Sequence, residues 1–423
     1  MNVLVIGGGG REHALVWSLR KSPAVTEVIA APGNGGIAQI ARCIPVDVNN
    51  LHALIDIVAI ENPALTVIGP EVPLALGIVD ELAARGFRVF GPTQAAARLE
   101  SSKAFAKDFM RRHDISTAAY ALCTSLDEVR EQLPRFATPV VVKASGLAAG
   151  KGVVICDTHA EALTTAAEIF SGTLLGTADT EIVLEEFLTG EELSFFALCD
   201  GTHAIPIAAA QDHKRVGEGD TGPNTGGMGA YSTDSLASPE LTRWIIDNVA
   251  QKVVDGMAQE GNPFRGILFI GLMMTPRGPM VLEFNTRFGD PETQAILLRL
   301  ETDILDLFNA SIDGTADRLH IKMLPGASAC VIAASGGYPG KYTSGLPIEG
   351  LTTPTDPSVV VFHSGTALKD GRLLTAGGRV LTITAHADNL RNSLEKAYNH
   401  LQKISFENMQ YRRDIGHRAL RNY

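Results

Sequence analysis

The run Met280-Val281-Leu282-Glu283-Phe284-Asn285 carries two oxygen donors two residues apart. In a strand, residues i and i+2 point to the same side. Glu283 and Asn285 are therefore expected on one face, with Leu282 and Phe284 turned into the core. A carboxylate and an amide oxygen on one rigid face suit magnesium, which takes few protein oxygens and fills its shell with water and phosphate. Arg287, Asp290 and Glu292 follow within seven residues of Asn285. So dense a run of charge after an apolar strand points to a site rather than to a solvated edge.

Two glycine clusters point to phosphate. Gly7-Gly8-Gly9-Gly10 follows an apolar run and precedes a helical one. The dinucleotide fingerprint needs a third glycine, and Glu12 or His13 stands where it would fall. A nicotinamide oxidoreductase is thereby disfavoured. Backbone N–H groups at a helix N-terminus still suit an anion, and Arg11 just inside the helix is a bidentate partner for phosphate. The second cluster, Gly146-Leu147-Ala148-Ala149-Gly150-Lys151-Gly152, resembles a P-loop. A Walker A motif would need glycine at Ser145 and a hydroxyl at Gly152. Between two strands, and flanked by Lys143 and Lys151, the segment reads instead as a flap over phosphates.

These groups need elements to position them. Met1–Ile6, Val25–Ala30, Leu65–Ile68 and Gly86–Phe90 read as strands, with a helix over Glu12–Arg20 between the first two. That alternation predicts a parallel sheet with ligand-binding loops along one edge. Ser101–His113 reads as a Ser-capped helix. Pro139–Lys143, Val153–Cys156 and Thr180–Leu184 read as strands. Residues 211–230 read as a long polar, glycine-rich loop, residues 240–260 as helix, and Gly266–Met274 with Met280–Asn285 as a hairpin. A last segment from Pro325 holds strands at Ala329–Ala334, Val359–His363 and Arg379–Thr384 and a helix over Asn389–Ile404.

The 423 residues exceed one compact core. A net charge of −11 disfavours nucleic acid as a partner. The five cysteines form no CxxC pair, which disfavours a zinc or disulfide framework. No apolar run reaches the roughly 18 residues of a membrane span. No signal or transit peptide is read at Met1, so a cytoplasmic protein with no membrane partner is expected.

The segments GGGGREHAL, APGNGG, GPEVPL, GLAAGKGV, EEFLTGEELS, QDHKR, GPNTGGMGAY, EFNTRFGDPETQ and GGRVL occur in this order. Together they closely resemble the phosphoribosylamine–glycine ligase family of ATP-grasp enzymes, from Met1 to about Ala419. The resemblance implies an α/β chain in three parts. Residues 1–101 would be a doubly wound parallel-sheet domain, and 102–325 an ATP-grasp α+β core with a mobile ATP lid at about 120–190. Residues 326–423 would be a small, mostly-β domain. It implies ATP with Mg²⁺ or Mn²⁺, glycine and 5-phosphoribosylamine as small-molecule substrates, and a monomer or weak homodimer.

Residue by residue, it implies phosphate contacts from Lys103, Lys143, Gly150 and Lys151. The adenine would lie at Glu185, Glu186, Phe187 and Leu188, and the ATP ribose at Glu192. Glu283 and Asn285 would be the metal ligands. A phosphoribosyl pocket would lie at Gly8, Gly9, Gly10, Arg11, Asn34 and Glu71, with Asp290 and Glu292 also facing substrate. Lys143, Arg287, Asp212 and Lys214 would serve the reacting groups. Many ATP-grasp ligases carry a third acidic ligand on the preceding strand, whereas Ile267–Met274 is uncharged here. An ATP-grasp carboxylase or transformylase on another purine intermediate is disfavoured by QDHKR and GPNTGGMGAY. A non-catalytic nucleotide module would not need Glu283 and Asn285.

Overall fold

The computed structural model describes residues 1–148, 152–176, 178–351 and 355–420. β1 (Asn2–Gly7) is a Val/Leu/Ile run buried on both faces, as expected of a central parallel strand. It is flanked by β2 (Glu27–Pro32) and β3 (Arg42–Cys43) on one side and by β4 (Leu65–Ile68) and β5 (Val89–Phe90) on the other. The sheet is parallel in the order β3-β2-β1-β4-β5. The winding reverses between β1 and β4. A crevice therefore opens beyond their C-terminal ends, at Gly7–Gly10 and Gly69–Glu71.

A second, antiparallel sheet holds β6 (Tyr120–Cys123), β7 (Val140–Ala144), β8 (Val153–Cys156) and β9 (Ile182–Glu186), in the order β6-β9-β7-β8. Helices Leu126–Gln132 and His159–Ser171 cover one face and share a core with it. Strand alternation sends Val140, Val142 and Ala144 into that core and Lys143 to the opposite face. Leu184 and Glu185 divide in the same way.

The third sheet has eight antiparallel strands. In chain order they are β10 (Glu191–Asp200), β11 (Ala204–Asp212), β14 (Gly229–Thr233), β15 (Arg265–Thr275), β16 (Gly278–Asn285), β17 (Ala327–Ala334), β18 (Val359–His363) and β21 (Arg379–Ala387). The spatial order is β16-β15-β10-β11-β14-β17-β21-β18. Small hairpins join it: β12 (Arg215–Gly217) with β13 (Thr221–Asn224), and β19 (Thr366–Lys369) with β20 (Arg372–Thr375). Residues 211–230, expected as a polar loop, thus hold parts of four strands. Their backbone pairs locally, although glycines and Pro223 hide the alternation.

Packing crosses both expected divisions. Val3, Leu15 and Phe90 of the first sheet share one core with Phe196, Phe269 and Phe308. β14 pairs with β17, so the last segment extends the large sheet. Helix Glu292–Arg299 is buried at every residue. Among the described residues, no helix is long and apolar enough to cross a membrane.

The last segment is also fastened to the first by histidines. His13 Nδ1 accepts a bond from the His363 backbone N–H at 2.8 Å. Burial pushes His13 down to about 3 and His363 to about 4. Both are therefore neutral when folded, whereas the unfolded chain protonates near 6.5. Unfolded chains then bind more protons below that pH, so stability is lost as pH falls. Each such histidine contributes a loss of up to about 1.4 kcal/mol per pH unit. The urea midpoint is expected to fall between pH 7 and 5, and His363→Gln to flatten that fall. Identical slopes in the two proteins would exclude the histidine as a source.

Candidate active site

Across the β15–β16 hairpin, Gly271 pairs with Glu283 but Leu272 pairs with Val281. Leu282 is the extra residue of a β-bulge. The expected alternation therefore fails at one position: Val281 and Phe284 enter the core, and Leu282 is only partly buried. Beyond the bulge, Glu283 and Asn285 share a face, both partly buried. Gly271 stands between Glu283 on β16 and Ser194 on β10. A Cβ there would lie 3.3 Å from Glu283 Cγ, so the missing side chain keeps the carboxylate's flank open. Two hard oxygen donors beside an open strip of sheet fit a magnesium or manganese ion.

Lysines surround this strip. Ser102 caps helix Lys103–Arg112, accepting from Phe105 N–H at 3.2 Å. The i, i+4 spacing places Lys103 and Lys107 on one side of that helix. Lys103 Nζ donates to Gly146 O at 3.0 Å, where the expected flap begins. Gly150 and Lys151 lie outside the described residues. Lys143 Nζ stands 2.7 Å from Glu185 Oε2, and Lys107 Nζ 2.9 Å from Glu185 Oε1. Lys107 also donates to Thr117 Oγ1 at 2.6 Å. Burial pushes Lys107 down to about 8, against the pull of Glu185. Burial opposes the charge of Glu185, yet Lys143 and Lys107 hold it below the usual carboxylate range. Glu186 pairs with Arg277 at 2.6 Å. Phe187 and Leu188 lie in the connection from β9 to β10.

A second polar group lies on the same face of the large sheet. Glu192, Ser194 and Asp212 are brought to it by the period of β10 and β11. Lys214 Nζ donates to Glu192 Oε2 at 2.6 Å. Lys214 is held well above its ordinary value, because Glu192, Asp212 and Glu283 outweigh its burial. Burial lifts Asp212 to about 7; the charges of Glu292, Glu192 and Glu283 add to the rise and Lys214 opposes it. Glu292 accepts from Ser194 Oγ at 3.2 Å, and burial raises it as well.

The crevice beyond β1 and β4 is acidic as well as basic. Arg11 is buried; its Nε donates to Glu12 Oε1 at 2.6 Å and its guanidinium to Phe288 O at 3.1 Å. Glu12 Oε2 accepts from Gly9 N–H at 2.6 Å. The chain's own carboxylate thus caps one of the backbone N–H groups that the glycine turn presents at the helix N-terminus. Gly7 makes this possible, because at φ +125° a Cβ there would lie 2.4 Å from Glu12 Cγ. Arg287 bridges Glu71 at 3.4 Å and Glu100 at 2.7 Å. Burial raises Glu71, but Arg287 and Arg11 overcome it and hold the carboxyl near 2. Asp290 pairs with Arg379 at 3.1 Å. Asn34 donates to Gly8 O and His363 O, and accepts from Gly36 and Ile37 N–H. Its amide organises the loop.

Comparison with known proteins resolves what this arrangement belongs to. Family models described as phosphoribosylglycinamide synthetase match residues 1–100 (N domain), 101–293 (ATP-grasp domain) and 328–418 (C domain). The chain belongs to the phosphoribosylglycinamide synthetase family. A phosphoribosylamine–glycine ligase from Xanthomonas campestris pv. campestris is 49% identical, with 99% of this chain and 98% of the relative covered. The crystal structure of such a ligase from Thermotoga maritima superposes with a TM-score of 0.87 at 34% identity, covering 98% and 100% of the two chains. A biotin carboxylase from Campylobacter jejuni gives a TM-score of 0.77 at 14% identity, with 97% and 92% covered, and shares the fold.

Four charged groups at the site escaped the sequence reading. Lys107 could have been found from its spacing to Lys103. Glu12 stood in the glycine register but was read only as a missing glycine. Glu100 and Arg379 left no local signal, since their partners Arg287 and Asp290 are 187 and 89 residues away in sequence.

Proposed function

We propose that this chain is an ATP-dependent ligase that joins glycine to 5-phosphoribosylamine, giving glycinamide ribonucleotide, ADP and phosphate. The family match over nearly the whole chain supports the substrates. The observation that carries the chemistry is that Glu283, Asn285 and the Asp212–Lys214 pair share one face of the large sheet, with the Lys103–Lys107–Lys143 cluster close to Glu283. The nucleotide lies between the four-stranded sheet and the large sheet. Glu185, Glu186, Phe187 and Leu188 flank the adenine, and Glu192 accepts a ribose hydroxyl. Lys103, Lys143, Gly150 and Lys151 meet the phosphates, while Glu185 holds Lys143 and Lys107 in place. Glu283 and Asn285 would hold Mg²⁺ or Mn²⁺, which when bound neutralises charge on the phosphates.

The sugar phosphate takes the crevice at Gly8–Arg11, with Asn34 shaping its wall. Glu12 caps the Gly9 N–H, and Glu71 and Asp290 offer acceptors suited to hydroxyls and an amine. A carboxylate does not acylate an amine at neutral pH, because its oxygen leaves poorly. Glycine's carboxylate oxygen therefore attacks the γ-phosphorus, the bond to ADP breaks, and glycyl phosphate forms. Lys143 and Arg287 balance the phosphoryl charge, and closure of the site protects the acyl phosphate from water. The amine of phosphoribosylamine then attacks the glycyl carbon. Phosphate leaves with the former carboxylate oxygen, and Asp212 accepts the amine proton.

Glycine labelled with ¹⁸O in its carboxylate tests this order of bonds. One label is expected in the released phosphate, and ADP release should require both glycine and phosphoribosylamine. Retention of both labels in glycine and its product would exclude the acyl phosphate.

A further inference from the structure

Asp212 and Lys214 flank His213, whose side chain points the other way and is completely buried. His213 Nε2 accepts from the backbone N–H of Gly416 at 3.0 Å, and its Nδ1 finds no partner. Burial and the nearby Arg412 and Arg418 push the ring down to about 3, so it stays a neutral acceptor. A buried imidazole with one orphaned nitrogen is a costly way to fill space. The one bond it makes ties the segment between Asp212 and Lys214 to the end of the chain.

The rest of that tail grips the same loop. Arg412, 1% exposed, donates to Arg215 O at 3.1 Å and to Asp220 Oδ1 at 2.9 Å. Asp414 accepts from Gly219 N–H at 2.9 Å and pairs with Arg412 at 2.8 Å. Arg418 donates to Asp220 Oδ2 at 2.6 Å, and His417 stands 3.5 Å from the same oxygen. Asp220 holds φ +59° at the tip of the β12–β13 hairpin, so one carboxylate anchors that tip to three tail side chains. On its other side the loop is held by Met228 N–H to His213 O, by Thr225 N–H and Oγ1 to Lys214 O, and by Arg379, which donates to Gly226 O at 2.6 Å.

We infer that the carboxy-terminal segment Arg412–Arg418 is a positioning element for the reaction, holding the backbone that aims Asp212 and Lys214 through Asp220 and His213. The inference rests on the role proposed above for those two residues. Arg412 and Arg418 bond Asp220 on the hairpin rather than Asp212 or Lys214 themselves, so they act through the loop. Small displacements of reacting groups are expensive even when their cause is remote: ~1 Å can cost about 100-fold. A tail that only stabilised the fold would leave the rate of the folded enzyme alone.

Asp220→Asn keeps the size and the tolerance of positive φ while removing the charge. Arg418→Gln removes one of its partners, and Arg418→Lys restores a cation. Asp220→Asn and Arg418→Gln are each expected to lower kcat about tenfold. The KM for ATP should stay within about twofold; Tm should stay within about 3 °C for Arg418→Gln, whose pair is partly exposed, while Asp220→Asn, which also weakens a bond to buried Arg412, is read per folded enzyme. Arg418→Lys should recover most of the rate. Wild-type kcat in both variants, or a loss that only tracks the unfolded fraction, would overturn the inference. Asp212→Asn is measured beside them. If it keeps wild-type activity, the assignment of Asp212 fails; if it is crippled while the tail variants are not, only the tail's role fails.

Discussion

Glu283→Gln is expected to lower kcat by at least ~100-fold at saturating ATP and Mg²⁺. The substitution keeps the side chain's length but replaces a charged oxygen donor by a weaker one. A bound cation contributes several kcal/mol of charge stabilisation in phosphoryl transfer, and about 1.4 kcal/mol is tenfold in rate. Position alone makes the loss hard to compensate. The strand facing Glu283 presents Gly271, and Phe269 faces Asn285. Ile267–Met274 brings no carboxylate to the strip. The bulge at Leu282 matters for the same reason, since it sets the direction of Glu283 relative to Ser194. A second readout separates a metal ligand from a merely structural acid. Manganese binding followed by electron paramagnetic resonance, with nucleotide present, should weaken in the variant, while its melting temperature stays near wild type. Near wild-type turnover at limiting Mg²⁺ would sink the assignment.

What the sequence made legible follows from the range of the interactions involved. β1, its glycine turn and the following helix were readable because apolar run, turn and helical stretch lie within about twenty residues. Glu283 and Asn285 were readable for the same reason. The bulge between them and Val281 was not, because it arises from register against β15, a property of two strands. Glu12 illustrates a sharper failure. Its type and position were noted, but that a carboxylate would turn back to cap Gly9 depends on the space that Gly7 and Gly69 leave. A Cβ at Gly69 would stand 2.3 Å from Glu12 Oε1. Residues 211–230 were misjudged because their strands are short and glycine-rich, and are fixed by β17 and by the tail. The continuity of the large sheet through β14 and β17 was invisible for a similar reason: the partners are about a hundred residues apart. The residues expected to meet a nucleotide were thus picked out from local motifs. The supports that aim its groups are long-range, and only the folded chain shows them.

Asp212→Asn is expected to reduce kcat by about 10²–10⁴-fold, the usual contribution of a positioned proton acceptor. The direction of its titration decides how to look for this. Burial raises Asp212 to about 7, with Glu292, Glu192 and Glu283 adding to the rise and Lys214 resisting it. The carboxyl is therefore largely protonated below pH 7 and largely ionised above it. Only the ionised form can take the proton that the attacking amine releases. The wild-type rate at saturating substrates should rise through an apparent pKa near 7, belonging to the interacting group of carboxylates rather than to Asp212 alone. In Asp212→Asn that limb should vanish, leaving a slow rate that varies little between pH 6 and 8. Lys214 sharpens the test. Glu192, Asp212 and Glu283 outweigh its burial and hold it well above its ordinary value, so it stays charged throughout this range and cannot be the source of the limb. Removing its charge in Lys214→Met should move the limb to higher pH, because the charge of Lys214, which favours ionised Asp212, is gone. A limb unchanged in both variants would mean that the proton leaves by another route, through the departing phosphate or solvent.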